Sequence, residues 1–170
     1  MQRPTSVTVF GILNMVFAAF GFIGTLASMA LFLMPGNSDN PVMKIMQDSP
    51  AYGAWVKFSI PLGLLACGAL LAAGIGLMFL KPWARKLSIG YAIYALVFGL
   101  IGMVVNFLFL VRPMLEQARE QQGAEAAGAI GGAIGGSIGS CFGLIYPILL
   151  LIFMFRPNVV AAFRPSAVLV

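Results

Sequence analysis

Residues Ala129 to Gly143 read AIGGAIGGSIGSCFG, a four-residue repeat that decides how the rest of the chain is read. Residues four apart lie above one another on a helix. As a helix, this stretch carries one large row, Ile130, Ile134, Ile138 and Phe142. Its other rows are small: Gly131, Gly135, Gly139 and Gly143; Gly128, Gly132, Gly136 and Ser140; and Ala129, Ala133, Ser137 and Cys141. In water each glycine costs about 1 kcal/mol of helix stability relative to alanine. In a bilayer an unpaired backbone costs more, so the helix is retained and its small rows let a second helix approach closely. The glycines are therefore predicted to form a helix-packing interface inside a membrane protein, either between subunits or within one bundle against the second span, with the lining of a narrow pore as a third reading.

Composition agrees with that setting. The chain has 170 residues, 61% hydrophobic and 9% charged, with mean hydropathy +0.99. Soluble domains carry about 25% charged residues, which excludes an ordinary water-soluble fold. The net charge of +5 does not indicate nucleic acid, because the basic residues stand singly or in tight turns at the ends of apolar runs. They read as orientation signals, and the bilayer as the partner. Two cysteines inside apolar runs, Cys67 and Cys141, make no disulfide framework and read as buried structural thiols. The chain has no histidine, so the commonest metal ligand and general base is missing. No cofactor or metal is expected.

Taken outward from the repeat, the chain divides into four uncharged runs. The first is Val7 to Leu33. It is longer than the roughly 7–15-residue core of a signal peptide, so it reads as an uncleaved span. Met34 to Lys57 is a polar loop in which Asn40-Pro41 can start one or two turns on the membrane surface. Tyr52, Trp55 and Lys57 mark the return to the bilayer. The second span is Phe58 to Leu80, with Pro61 in its first turn and Gly68, Ala72 and Gly76 as a small row. A basic turn, 81–86, carries Trp83 and Arg85 as interface anchors, as does Trp55 on the other side. The third span is Leu87 to Val111, followed by a connector over 112–128. The fourth is Ala129 to Phe155, which Pro147 should kink, and 156–170 is the tail.

Basic residues set the orientation. One side holds Arg3, Lys81, Arg85, Lys86, Arg156 and Arg164 without an acid, and the other holds every acidic residue. Both termini are therefore predicted to be cytoplasmic. An internal duplication is a further reading. Placing Arg3-Pro4 on Lys81-Pro82 also brings Phe20-Gly21 onto Phe98-Gly99 and Ile23-Gly24 onto Ile101-Gly102. Two tandem helical hairpins would produce this register. The second helices fit less well, since Ala66-Cys67 meets Ser140-Cys141 only at a different shift.

No uncharged run contains an ionisable Asp, Glu, Lys or Arg, the usual mark of a proton relay or ion path. The polar candidates are Asn14 and Asn106, read as interhelical hydrogen-bonding groups, with Tyr91, Tyr94, Ser88, Thr25 and Ser28 beside them. Ser137 and Ser140 have no nearby base and are not read as nucleophiles. Glu116, Glu120 and Glu125 read as a solvated helix face with Arg119.

Gly131, Gly135, Gly139 and Gly143 resemble the glycine-zipper pattern of oligomerising membrane proteins. The turn Gly76-Leu77-Met78-Phe79-Leu80-Lys81-Pro82-Trp83-Ala84-Arg85-Lys86-Leu87 resembles that of small uncharacterised bacterial four-helix integral membrane proteins, where Trp-Ala-Arg is followed by Leu. Those resemblances imply a polytopic inner-membrane protein without an assigned reaction. The tetraspanin pattern is not matched, because its large outer loop and Cys-Cys-Gly motif are absent.

The sequence therefore predicts an all-α bundle of four transmembrane helices. Its function is read as a non-enzymatic scaffold or accessory subunit, a homo-oligomer or part of a larger membrane complex joined through the glycine rows. The alternative is a small transporter or channel for a neutral or apolar solute. An integral membrane enzyme ranks behind both.

Overall fold

The computed structural model describes residues 5–33, 41–113, 115–116 and 124–163, and every regular element among them is helical. α1 spans Thr5–Leu33, α2 Pro41–Asp48, α3 Pro50–Met78 and α4 Pro82–Asn106. A π-helical turn over Phe107–Val111 extends α4; α5 then spans Ala124–Met154 and α6 Pro157–Ala162. Among the described residues three segments are long and apolar enough to cross a membrane: Val7–Ala30, Pro50–Met78 and Pro82–Val111. By length and composition the chain is an integral membrane protein. In α5 the described apolar stretch is shorter, Gly143–Met154.

Helix boundaries follow proline. Ser49 is extended (φ −123°, ψ 96°), and its Oγ accepts the Tyr52 N–H at 3.5 Å while Pro50 occupies the first helical turn. A serine N-cap followed by proline is a strong start signal. α3 consequently begins well before Phe58, and Tyr52, Trp55 and Lys57 belong to the helix, not to a loop. Pro61 therefore sits inside α3. There it lacks the N–H that would bond the Lys57 carbonyl. The expected surface turns after Asn40 exist as α2, although Asn40 itself lies outside the described residues.

The turn from α3 to α4 is fixed by four residues, Phe79-Leu80-Lys81-Pro82. The Leu80 N–H bonds the Leu77 carbonyl at 3.1 Å and the Lys81 N–H bonds the Gly76 carbonyl at 2.9 Å. This pair is a Schellman cap, and it requires a left-handed residue at the position after the cap. Leu80 supplies it with φ 53°, where glycine is usual. Lys81, extended ahead of Pro82 (φ −73°, ψ 127°), then launches α4. Arg156 (φ −62°, ψ 137°) repeats the device ahead of Pro157, giving the tail a short helix where no element was expected.

Packing is antiparallel throughout. α1 lies against α3, α3 against α4, and α4 against α5. α1 and α3 cross where glycines remove the side chains: a Cβ on Gly74 would stand 2.9 Å from the Gly11 carbonyl oxygen and 3.0 Å from the Asn14 Cβ. A Cβ on Gly21 would stand 2.6 Å from the Cys67 Sγ. On the α4–α5 pair, a Cβ on Gly99 would stand 2.7 Å from the Leu144 Cδ2. The buried core gathers at the end of the molecule that holds the α3–α4 turn. Val7, Phe10, Leu77, Ala84, Leu150 and Met154 meet there, and Val159 and Phe163 close it from below.

One substitution at two glycines tests this packing. Gly74→Ala places a methyl against backbone and is expected to lower the unfolding free energy in detergent by about 1–3 kcal/mol. Gly90→Ala enters open space and is expected to raise it by about 0.5–1 kcal/mol through helix propensity. Equal effects at both positions would contradict the α1–α3 crossing.

Candidate functional site

The polar groups of the apolar helices converge on Asn14. Its side chain is fully buried, as is that of Ser88. The Asn14 Nδ2 donates to the Ser88 Oγ at 3.4 Å, and Ser88 donates to the Ala84 carbonyl at 2.9 Å. The Tyr146 hydroxyl donates to the Asn14 Oδ1. One amide thus ties α1 to both α4 and α5, and no buried side-chain nitrogen or oxygen among the described residues is left without a partner. Beside this bridge two tilted ring pairs join the same helices, Phe17 against Tyr146 at 4.2 Å and Phe10 against Phe153 at 4.7 Å between ring centroids.

Asn106 makes a second bridge at the other end of the bundle. It accepts from the Tyr52 hydroxyl at 3.2 Å and returns its Nδ2 to the Gly102 carbonyl at 2.9 Å. The α4 helix widens into its π turn immediately afterwards. Trp55 stacks on Phe98 at 6.2 Å and lies over Gly102. Trp83 is half exposed and covers Gly76. The Arg85 Nε donates to the Met154 carbonyl at 3.0 Å, placing a cation on a helix C-terminus. Thr25 and Ser28 donate back to their own helix, to the carbonyls of Gly21 and Gly24. Cys67 is half-buried and Cys141 is exposed, so the expectation of a buried thiol fails at Cys141. Among the acidic residues read as a solvated face, Glu116 pairs with Arg112 at 3.1 Å in full exposure; Glu120 and Arg119 lie outside the described residues.

The glycine row behaves differently from the packed glycines. A Cβ on Gly131, Gly135, Gly139 or Gly143 would meet nothing within 4 Å, and all four positions are exposed. The surroundings of Gly128, Gly132 and Gly136, in the same helix, lie outside the described residues. Helical periodicity relates the open row to the polar bridge. Gly143, Gly139 and Gly135 precede Tyr146 by about one, two and three turns, so they share its face. That face meets α1 at Asn14 and Phe17. Farther along, the α1 residues that continue this side, Gly24 and Ser28, are exposed. Among the described residues, the ring contacts and hydrogen bonds joining α1 to α5 all fall between Phe10 and Phe17 on one helix and Tyr146 and Phe153 on the other. The two helices are joined at that level, and beyond it Gly143, Gly139 and Gly135 of α5 are exposed. Pro147, inside α5 one residue after Tyr146, leaves the Gly143 carbonyl without its helical donor at that level.

Gly76, read as part of the small row of the second span, packs within the chain against Ala84 and Trp83, whereas Gly11, Gly21, Gly74 and Gly99 were not read as packing glycines and are distinguished only by their neighbours in space. Tyr146 was not among the polar candidates read from the sequence, and its partner, 132 residues away, gives no local signal. No family model matches the chain, and neither a curated protein nor a solved structure matches it.

The arrangement holds helices together and offers one unfilled helix face. Asn14→Leu and Tyr146→Phe each remove one side of the bridge. A double-mutant cycle on unfolding in detergent is expected to return a coupling of about 0.6–2 kcal/mol between them. Additive effects would mean that the two side chains do not share a bond.

Proposed function

We propose that this protein is a non-enzymatic membrane scaffold or accessory subunit whose fourth long helix docks on a second copy of the chain. The open glycine row of α5 carries the reading. A row of glycines weakens a helix and gives nothing back until another surface covers it. Within one chain the positions are uncovered. A second copy brings the same row, so two identical faces can approach as a self-complementary pair.

In this reading α5 is the fourth span. Its described apolar part, Gly143–Met154, covers only about half of the roughly 30 Å hydrocarbon core at about 1.5 Å per residue. The rest of the crossing falls to the glycine repeat, which suits helix contact better than lipid contact. The bundle is then two hairpins, α1 with α3 and α4 with α5. Comparable close approaches, at Gly21 against Cys67 and Gly99 against Leu144, support a tandem relation between them. The distribution of basic residues favours both termini in the cytoplasm, and the protein would reside in a bacterial inner membrane. The rival reading, a small transporter or channel for a neutral or apolar solute, would use the open glycine row of α5 to line its path.

Native mass spectrometry of the wild type and Gly135→Leu in mild detergent separates these readings. A defined oligomer that falls to monomer in the variant is the expected result. A wild-type monomer, or an unchanged oligomer in Gly135→Leu, would overturn self-docking. Solute flux in liposomes that disappears in the folded variant would select the transporter. Orientation is checked separately in a chain freed of Cys67 and Cys141. Asp39→Cys is expected to label from outside intact cells, and Lys86→Cys only after permeabilisation.

A further inference from the structure

A cavity of about 460 Å³ lies where the end of α1, the short α2 and the start of α3 meet. Met29 of α1, Met43 and Met46 of α2, and Val56 of α3 supply its apolar wall, and Lys57 stands on its rim. The volume falls in the roughly 300–1,000 Å³ range of small-ligand sites, which are apolar with a few placed polar groups. Methionines give such a wall adaptability, since their unbranched chains fill irregular space.

The cavity has a built frame. α2 is seated directly on α3, for a Cβ on Gly53 would stand 3.1 Å from the Met46 carbonyl oxygen. The Ser49 N–H bonds the Ile45 carbonyl at 2.9 Å, and the Gly53 N–H bonds the Ser49 carbonyl at 3.0 Å. These bonds lock the corner between the two helices. On the far side of α3, Tyr52 is tied to Asn106. The roof over the cavity is thus fixed by α2, and Met29 and Leu33 of α1 leave it open toward the membrane, both being exposed.

Position and charge then choose the occupant. α3 is 29 residues long, so at about 1.5 Å per residue it exceeds the roughly 30 Å core by a few turns. Lys57, in the second or third turn, therefore reaches headgroup depth, where lysine extends its ammonium toward phosphate. Its side chain is exposed, and among the described residues it makes no ion pair; Asp48 at the end of α2 is not bonded to it. A membrane phospholipid satisfies both features together. We propose that this cavity binds one acyl chain of an anionic phospholipid, with the lipid phosphate held at Lys57.

The test uses the full chain in mild detergent, titrated with phosphatidylglycerol or with phosphatidylcholine of the same acyl chains, and reads lipid retained per chain by native mass spectrometry. Counting per chain keeps the result independent of oligomeric state. The wild type is expected to retain one phosphatidylglycerol, about fivefold in preference to phosphatidylcholine. Lys57→Gln, a change at an exposed side chain, should abolish that preference, and Lys57→Arg should keep it. Met29→Trp should fill the cavity and reduce retention of both lipids. Equal retention of the two lipids by the wild type, an undiminished preference in Lys57→Gln, or preferential retention of a free fatty acid would each overturn the proposal.

Discussion

All four long helices meet at one level, and the meeting depends on the absence of a side chain at Gly74. Because α3 has no Cβ there, its backbone reaches the Gly11 carbonyl and the base of Asn14. That approach sets where the Asn14 amide stands, and the amide then reaches Ser88 on α4 and Tyr146 on α5. Burial of an amide in an apolar interior is costly unless its donor and acceptor are both used. Here Ser88 takes the donor and Tyr146 satisfies the acceptor. A displaced α1 would therefore leave the Asn14 amide and the Tyr146 hydroxyl unpaired on two helices at once, while Ser88 keeps its bond to the Ala84 carbonyl, which makes the register of the bundle specific.

The same level divides the molecule into a closed end and an open one. Below it, apolar side chains from both chain-end helices and from the α3–α4 turn fill the interior, and the Arg85 guanidinium caps the end of α5. Above it, Gly143, Gly139 and Gly135 on the Tyr146 side of α5 are exposed and carry no side chain. Van der Waals attraction falls steeply with distance, so a helix face without side chains gains little unless its neighbour comes fully to contact. Proline at position 147 weakens the helix ladder at the last point where α1 and α5 touch. The tie between α1 and α5 at Tyr146 and the exposed glycines beyond it reflect one change in side-chain size along α5.

What the chain reveals on inspection is uneven, and the reasons are physical. Helix existence was legible wherever long apolar runs exceed the bilayer thickness. Helix starts were legible only where proline was weighed with the residue before it. Ser49-Pro50 was passed over in favour of the apolar boundary at Phe58, so Pro61 was placed in a first turn it does not occupy. Leu80 gave no warning of its left-handed backbone, since that conformation normally selects glycine; the Schellman cap requires it, and Pro82 acts only on Lys81. Glycine spacing reported that α5 has a small face, yet spacing carries no information about what lies opposite. Gly11, Gly21 and Gly99 lie outside the tetrads and each serves one crossing point, whereas Gly74 and Gly76, two residues apart, serve two neighbours, α1 and the start of α4. The exposed Cys141 illustrates the same limit, as apolar surroundings in sequence do not mean burial when the solvent is lipid.

A glycine face in lipid has a different meaning from one in water. In water a bare backbone face can be hydrated, and the helix simply frays. In hydrocarbon the helix persists, because its internal hydrogen bonds have no competitor. The cost of the glycine row is then lost contact, with lipid chains packing less closely on an irregular backbone groove than a second helix can. A partner helix that presents its own small row recovers those contacts and brings weak Cα–H to carbonyl interactions into range. Tolerance of the helix and the gain from covering it therefore act in the same direction. That asymmetry favours placing the open face of α5 at a contact between chains over leaving it toward lipid.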